Sequence, residues 1–468
     1  MAMGRGSKGK QARFFVEAES LARGPGHPFY QAVNQLLLKH GFEKFVEEKC
    51  KPFYASRMGR PGLAPGVYFR LLLIGYFEGV DSERGIAWRV ADSLSLREFL
   101  GLGLSERTPD HSTLSKTRRR IDLESHKAVF AWVLTVLAKS DLLKGKTLGV
   151  DATTLEANAA LRSIVRRDTG EAYNEYLTRL AKAAGIETPT KEDLAKLDKK
   201  RPKKGSNDDW THPHDPDAGI TKMKDGRTHL SHKAEHAVDM ETKAIVAVGL
   251  FGVQGDTATL PQTLAAAIEN LDKVAKDPEA DAALATSLVA EVVTDKGYHS
   301  NDVLVMLAAG EIRSYVSEPN RGRRRWDSDT EGAQKATYDN RRRVKGKRGK
   351  DLQRSRSELV ERPNAHLYET GAMRRLHLRG EENILKRLLV HVAGFNLGLV
   401  MQKLLGFGTP RGLQGRVAAL LALLLRTWAA LLAPRNAEFE SVQSKLVILS
   451  PLRWFRAPIP VAALSTGC

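Results

Sequence analysis

Two aspartates stand where short apolar runs stop, and that is where chemistry is most easily placed. Asp151 closes the run in Gly149-Val150-Asp151-Ala152-Thr153, and Asp295 closes Val293-Thr294-Asp295-Lys296-Gly297-Tyr298. Each run reads as a buried strand ending on an acid. If the two strands are neighbours, both carboxylates project at the same end of a sheet. A third carboxylate from a late helix would complete an oxygen-rich pocket, which hard divalent ions such as Mg²⁺ prefer. Two such ions about 3.5–4 Å apart activate a water or a hydroxyl and stabilise the departing oxygen of a phosphodiester. Three like charges do not sit together cheaply without cations. A single strand-end aspartate also fits a turn or capping residue, so the pair in this element order carries the reading.

The elements that must position these acids follow from periodicity. The first ~125 residues read as helical. Phe29, Val33, Leu36, Leu37 and Leu38 recur at helical spacing, residues 66–80 form a second apolar helix, and 82–93 a third with Ser82 as its N-cap. A short segment, 96–100, precedes Thr108-Pro109-Asp110-His111-Ser112, where Asp110 would cap a helix running through Lys116, Arg118, Arg119 and Arg120. Helices ending on a basic helix fit a helix-turn-helix-like DNA reader, and equally a helical bundle with a solvated basic face. Residues 123–143 form another helix, and 146–151 the first strand. A polar, charged insertion spans about 155–227, helical near 174–184 and 191–199. Then come a hairpin (233–239 and 244–251), helices at 259–274 and 281–289, a strand at 291–295, a helix at 301–309 and a strand at 312–316. A basic stretch follows, with a helical stretch starting near Glu361 and continuing over 381–405. The chain is thus expected to be mixed α/β, with a helical N-terminal region (1–125), a mixed five-stranded sheet with flanking helices (126–405) and a tail (406–468).

Composition bounds the partners. The 468 residues suffice for two or three domains, and 42% hydrophobic content makes the bulk globular. Lys and Arg number 73 against 55 acids, so the +18 charge favours a polyanion, with ribosomal-type or membrane-surface binding as competing readings. The two cysteines, Cys50 and Cys468, supply neither a disulfide framework nor a cysteine-based zinc site, which fits a reducing cytosol. No apolar signal segment is visible near Met1, and the apolar stretch 417–433 is interrupted by Arg426, so a buried helix is expected there rather than a membrane span. Residues 320–357 hold fourteen Lys/Arg against five acids, which reads either as phosphate-gripping or as a solvated loop. His229, His232 and His236 lack a fourth ligand for zinc and run into a strand that scatters their rings. Asp256 reads as a helix cap, and Trp210 and Trp326 either stack on a base or pack inside.

Several blocks, in order, resemble bacterial insertion-sequence transposases of the DDE class. They are Thr108-Pro109-Asp110-His111-Ser112-Thr113-Leu114-Ser115-Lys116, Asp215-Pro216-Asp217-Ala218, Lys222-Met223-Lys224-Asp225-Gly226 and Asp295-Lys296-Gly297-Tyr298. Glu358-Leu359-Val360-Glu361-Arg362, Met373-Arg374-Arg375, Leu378-Arg379-Gly380 and Asn396-Leu397 follow, so the likeness spans roughly residues 50 to 405. The resemblance implies a ribonuclease H-like catalytic domain, whose element order matches that above. It also implies Asp151, Asp295 and Glu361 as catalytic and metal-binding acids, the last in a Glu-Arg pair. Mg²⁺ or Mn²⁺, two ions per site, would be the cofactor. The chain departs from a related pattern: Tyr338 and Arg341 are not followed by the glutamate, Tyr368 stands where a lysine would, and Pro363 follows the acid. Glu369 and Glu358 therefore remain alternative third acids, and the proline places Glu361 at or just before a helix start. The DNA-binding residues implied are Lys116, Arg118, Lys222, Lys224, Lys296, Arg341, Arg342, Arg362, Arg374, Arg375 and Arg379. The expected partners are double-stranded DNA, as element ends and target, and a second copy of the chain on that DNA. The expected setting is the bacterial cytoplasm, on the nucleoid and away from membranes.

Overall fold

The computed structural model describes residues 26–55, 62–201, 205–223, 226–320, 322, 326 and 331–412. The chain divides into two units after Gly412, and all the described residues lie in the first, which is compact. The second unit, including the apolar stretch at 417–433, lies outside the described residues.

Seven helices open the described chain: α1 (Pro28–Lys39), α2 (Phe42–Cys50), α3 (Pro65–Glu78), α4 (Glu83–Ala91), α5 (Leu94–Phe99), α6 (His111–Arg120) and α7 (Leu123–Lys139). Their starts were written in the sequence. Ser82 accepts the Gly85 amide at 3.1 Å, and Asp110 accepts those of Ser112 and Thr113 at 2.7 and 2.9 Å, so each satisfies donors that the helix itself leaves free. α3 is apolar on all sides, and Tyr68, Phe69, Leu71, Leu72, Ile74 and Phe77 are buried, as befits a helix at the centre of a bundle.

The second half is built on β1 (Thr147–Glu156). The insertion after it holds β2 (Val165–Arg166), α8 (Tyr173–Ala183), α9 (Lys191–Lys200), β3 (Trp210–Thr211) and β4 (Gly219–Lys222). β5 (Thr228–Asp239) and β6 (Ile245–Phe251) make the expected hairpin, followed by α10 (Asp256–Ala275), α11 (Pro278–Asp281), β7 (Glu291–Thr294), α12 (Asn301–Ala309) and β8 (Arg313–Val316). β6, β5 and β1 are antiparallel, while β1, β7 and β8 are parallel. The chain closes with α13 (Glu331–Lys345), α14 (Lys347–Arg356), α15 (Arg362–Ala365) and α16 (Glu381–Leu405).

Five expectations need correction. The sheet has six strands rather than five, because β5 runs past β6 and β4 pairs with its first residues, Thr228 to Ser231. β1 does not stop at Asp151 but continues to Glu156, held by β5 along that length. The helix expected at 281–289 does not form: the four-residue α11 ends at Asp281 and turns follow it. The basic stretch forms α13 and α14, since Lys, Arg and Gln are good helix formers even where charge hides an apolar period. Glu361 is not at a helix start: wide π-type turns at Ser357–Glu361 and His366–Thr370 flank α15, so one helical run carries Pro363 inside it. The π-type register loosens the i→i−4 ladder that a proline would otherwise break.

α16 joins the two halves. Its Arg387 is buried and donates to the Leu72 and Val80 carbonyls at 2.9 and 3.2 Å. Gly75 makes the room, since a Cβ there would run into that guanidinium. Further along, Asn396 accepts the Ile245 amide at 3.0 Å and donates to its carbonyl at 2.9 Å, closing the first residue of β6.

Candidate active site

Sheet register brings the two aspartates together. β1 and β7 pair as Thr147↔Glu291, Leu148↔Val292 and Gly149↔Val293, a constant offset of 144 residues. Asp151 and Asp295 keep that offset and so sit at the same level, just beyond the last paired residues. Adjacent strands lie about 4.8 Å apart. The side chain of Asp295 also caps the turn Lys296–Tyr298, accepting the Gly297 amide at 2.8 Å. Tyr298 anchors that turn from below, donating to the buried Glu235 at 2.8 Å.

The helical run after α14 lies over the same face. A Cβ at Gly149 would collide with Val360, so the glycine two residues before Asp151 is what lets the helix settle on β1. Val293, Tyr315 and Met240 complete this packing with Leu352 and Leu359. Glu361 is thereby brought over Asp151, and Arg356 stands between them. Its Nη1 is 3.5 Å from Asp151 Oδ1, and its Nη2 is 2.8 Å from Glu361 Oε1.

The other two acids are both felt at Asp151. Burial pushes the Asp151 carboxyl up to about 6; the Arg356 guanidinium pulls it down, and the charges of Asp295 and Glu361 push it up again. The alternative glutamates are engaged elsewhere: Glu369 with Arg374 at 2.7 Å, and Glu358 with Arg362 and Lys243 at 3.5 and 3.8 Å. Among the described residues, no three His, Cys, Asp or Glu side chains are gathered at metal-ligating spacing. The donor chemistry of Asp151, Asp295 and Glu361 nevertheless suits a hard divalent ion, and a cationic group already stands between two of them.

The basic residues divide by position. Lys116, Lys222, Lys296, Arg342, Arg362, Arg375 and Arg379 are exposed, and Lys296 adjoins Asp295. Arg379 still donates to the Asn158 carbonyl at 2.8 Å, and Arg375 lies beside Glu156 at 3.8 Å. Arg118 is not exposed as expected. It shares the inward face of α6 with Leu114 and Thr117, pairing with Glu83 at 2.8 Å and bonding Asn383. Arg341 is held by both oxygens of Glu318 at 2.8 Å. Arg374 reaches Thr153 Oγ1 at 2.9 Å, over the Tyr368 ring. Lys224 lies outside the described residues, as do four arginines of the basic stretch, 321 and 323–325.

Other candidates resolve into structure. His229 lies 3.7 Å from Glu156, His232 meets Asp215 at 3.1 Å, and His236 is 2.7 Å from the Tyr368 hydroxyl. Asp256 is the first residue of α10 rather than its cap, and pairs with Lys233 at 2.7 Å. Trp210 packs with Ile164, Ala218 and Leu230 in the insertion's small core, while Trp326 is half-buried beside Tyr338. Sequence reasoning missed three groups. Arg356 was one of fourteen similar cations. Glu235 lies in a strand of mixed polarity, and its partners come from elements distant in sequence. Asp215, in one of the recognised blocks, is buried and links His232 to the Gly380 amide at 3.2 Å, joining it to another block.

Residues 17–120, which take in α1 to α6, match the family model described as a transposase domain (DUF772). No curated protein matches the chain, and no solved structure does. The similarity supports a transposase.

Proposed function

We propose that this chain is a DDE-class transposase in which Asp151, Asp295 and Glu361 hold Mg²⁺ or Mn²⁺, cut phosphodiesters at the ends of a mobile element and join the freed 3′-hydroxyls to target DNA. The observation that carries this reading is the placement of two acids at one register level on parallel neighbours and of a third on the helix above, with the charges of Asp295 and Glu361 both felt at Asp151. The transposase-domain similarity of the helical region supports it, and so does the strand order β6-β5-β1-β7-β8, which agrees with a ribonuclease H-like domain.

The bound ions would supply charge neutralisation and a nucleophile competent at neutral pH. The protein's own part is placement. The Glu235–Tyr298 bond fixes the turn that carries Asp295, and the Gly149–Val360 contact sets the height of Glu361 over the sheet. Lys296 and Arg362, next in sequence to Asp295 and Glu361, are exposed cations available to DNA phosphates near the acids, and Lys116, Lys222 and Arg375 extend that set. Two element ends must be cut together, so two copies of the chain would act on one DNA complex.

Incubating the protein with element-end DNA and Mg²⁺ or Mn²⁺ tests the proposal. Joined products are expected. Nicking without joining would make the chain a nuclease, and full cleavage by Asp295→Ala would remove the site assignment.

A further inference from the structure

Arg356 is the last residue of α14, and its guanidinium sits where Asp151 and Glu361 face each other. Only 16% of its side chain is exposed. Its two ends are unequal. Nη2 is hydrogen-bonded to Glu361 at 2.8 Å, but Nη1 is buried without a hydrogen bond, 3.5 Å from Asp151. Arg348, near the start of the same helix, shows what a permanent pair looks like here: it grips both oxygens of the buried Glu291 through Nε and Nη2. A bidentate arginine pair is strong because both donors are used. Arg356 leaves one buried donor unmet and therefore holds its place weakly.

A divalent ion bridging the same two oxygens at about 2.0–2.1 Å would stand where the guanidinium stands, and two cations that close repel. We infer that Arg356 is a built-in counter-ion that occupies the cation position of the metal-free chain and must leave before a divalent ion binds Asp151 and Glu361. It spares the acids mutual repulsion while no metal is present, and it sets a threshold concentration for metal. This rests on the reading that the three acids form the metal site. The paired state lowers apparent metal affinity by the fraction of molecules in which Arg356 stands aside.

The test is Mn²⁺ titration of the metal-stripped full chain, read as free Mn²⁺ by electron paramagnetic resonance. Arg356→Ala and the better-filling Arg356→Gln should each bind Mn²⁺ about tenfold more tightly than wild type. Unchanged or weaker binding by a cooperatively melting variant overturns the inference. In the unaltered protein, Mg²⁺ should raise phenylglyoxal labelling of Arg356, followed by mass spectrometry of the peptide. Labelling that stays constant or falls overturns the inference without any substitution. Asp151→Asn separates the two readings. If it binds Mn²⁺ as wild type does, the metal-site assignment itself fails. If it does not bind, the site stands and the Arg356 results decide the counter-ion role alone.

Discussion

Asp151 and Glu235 are both largely withdrawn from water on neighbouring strands, one step out of register and on opposite faces of the sheet. Glu235 faces α10 and is fully served: Thr259 donates at 2.7 Å, Tyr298 at 2.8 Å, Thr263 also donates, and Lys233 lies 3.5 Å away. Asp151 faces the helical run above and has one cation at 3.5 Å and two acids pressing on it. The same chemical group thus serves as a structural anchor on one face and as a poorly paired acid on the other. The difference lies in neighbours rather than depth, because buried charge is stable only where donors surround it.

The comparison breaks if the two residues respond alike to substitution. The largest effect is expected on chemistry: Asp151→Asn or Asp295→Asn should lower metal-dependent cleavage on the order of 10³-fold or more in a DNA-nicking assay. Glu235→Ala should instead cost the fold about 2–4 kcal/mol in urea unfolding, since it strands three hydroxyls, while Glu235→Gln keeps part of the network. Near-wild-type stability in Glu235→Ala would remove the anchor role.

Asp151→Asn should behave oppositely in stability when metal is chelated. The folded carboxyl titrates at about 6 against an ordinary 3.8, so its contribution is fully present below 3.8 and lost as pH rises through 6. The variant should therefore match wild type near pH 4 and exceed it by about 1–3 kcal/mol above pH 7, as followed by thermal melts across pH. A difference that grows toward acid would reverse the assignment. The smallest effect is expected from Gly149→Ala, which must lift the helix at Val360 and cost about 1–2 kcal/mol, with a larger proportional loss of cleavage than of stability. Equal losses would mean that helix height does not matter to Glu361.

Much of this arrangement was legible in the residues. Asp110 and Ser82 declared their helices because capping is local chemistry, and α12 and α16 were readable to the residue from apolar periodicity. The strand order β1, β5, β6, β7, β8 followed from short apolar runs and turns. What stayed hidden depends on contacts distant in sequence. The second half of β1, Ala152 to Glu156, is too polar to declare itself and is held by β5. Charge masked the helical character of α13 and α14. Arg356 gained its meaning only when the fold set it between acids 205 residues apart in one case and five in the other.

The clasp made by α16 carries a consequence for how the chain comes into being. α3, α7 and β6 all rest on a helix that begins at residue 381. A ribosome that has threaded the first 380 residues has released every other part of this core without its keystone. Until Arg387 reaches the Leu72 and Val80 carbonyls, the apolar flank of α3 is open to chaperones and proteases. A nonsense codon just upstream of α16 would leave most of the polypeptide made, yet in a form that quality control treats as unfolded.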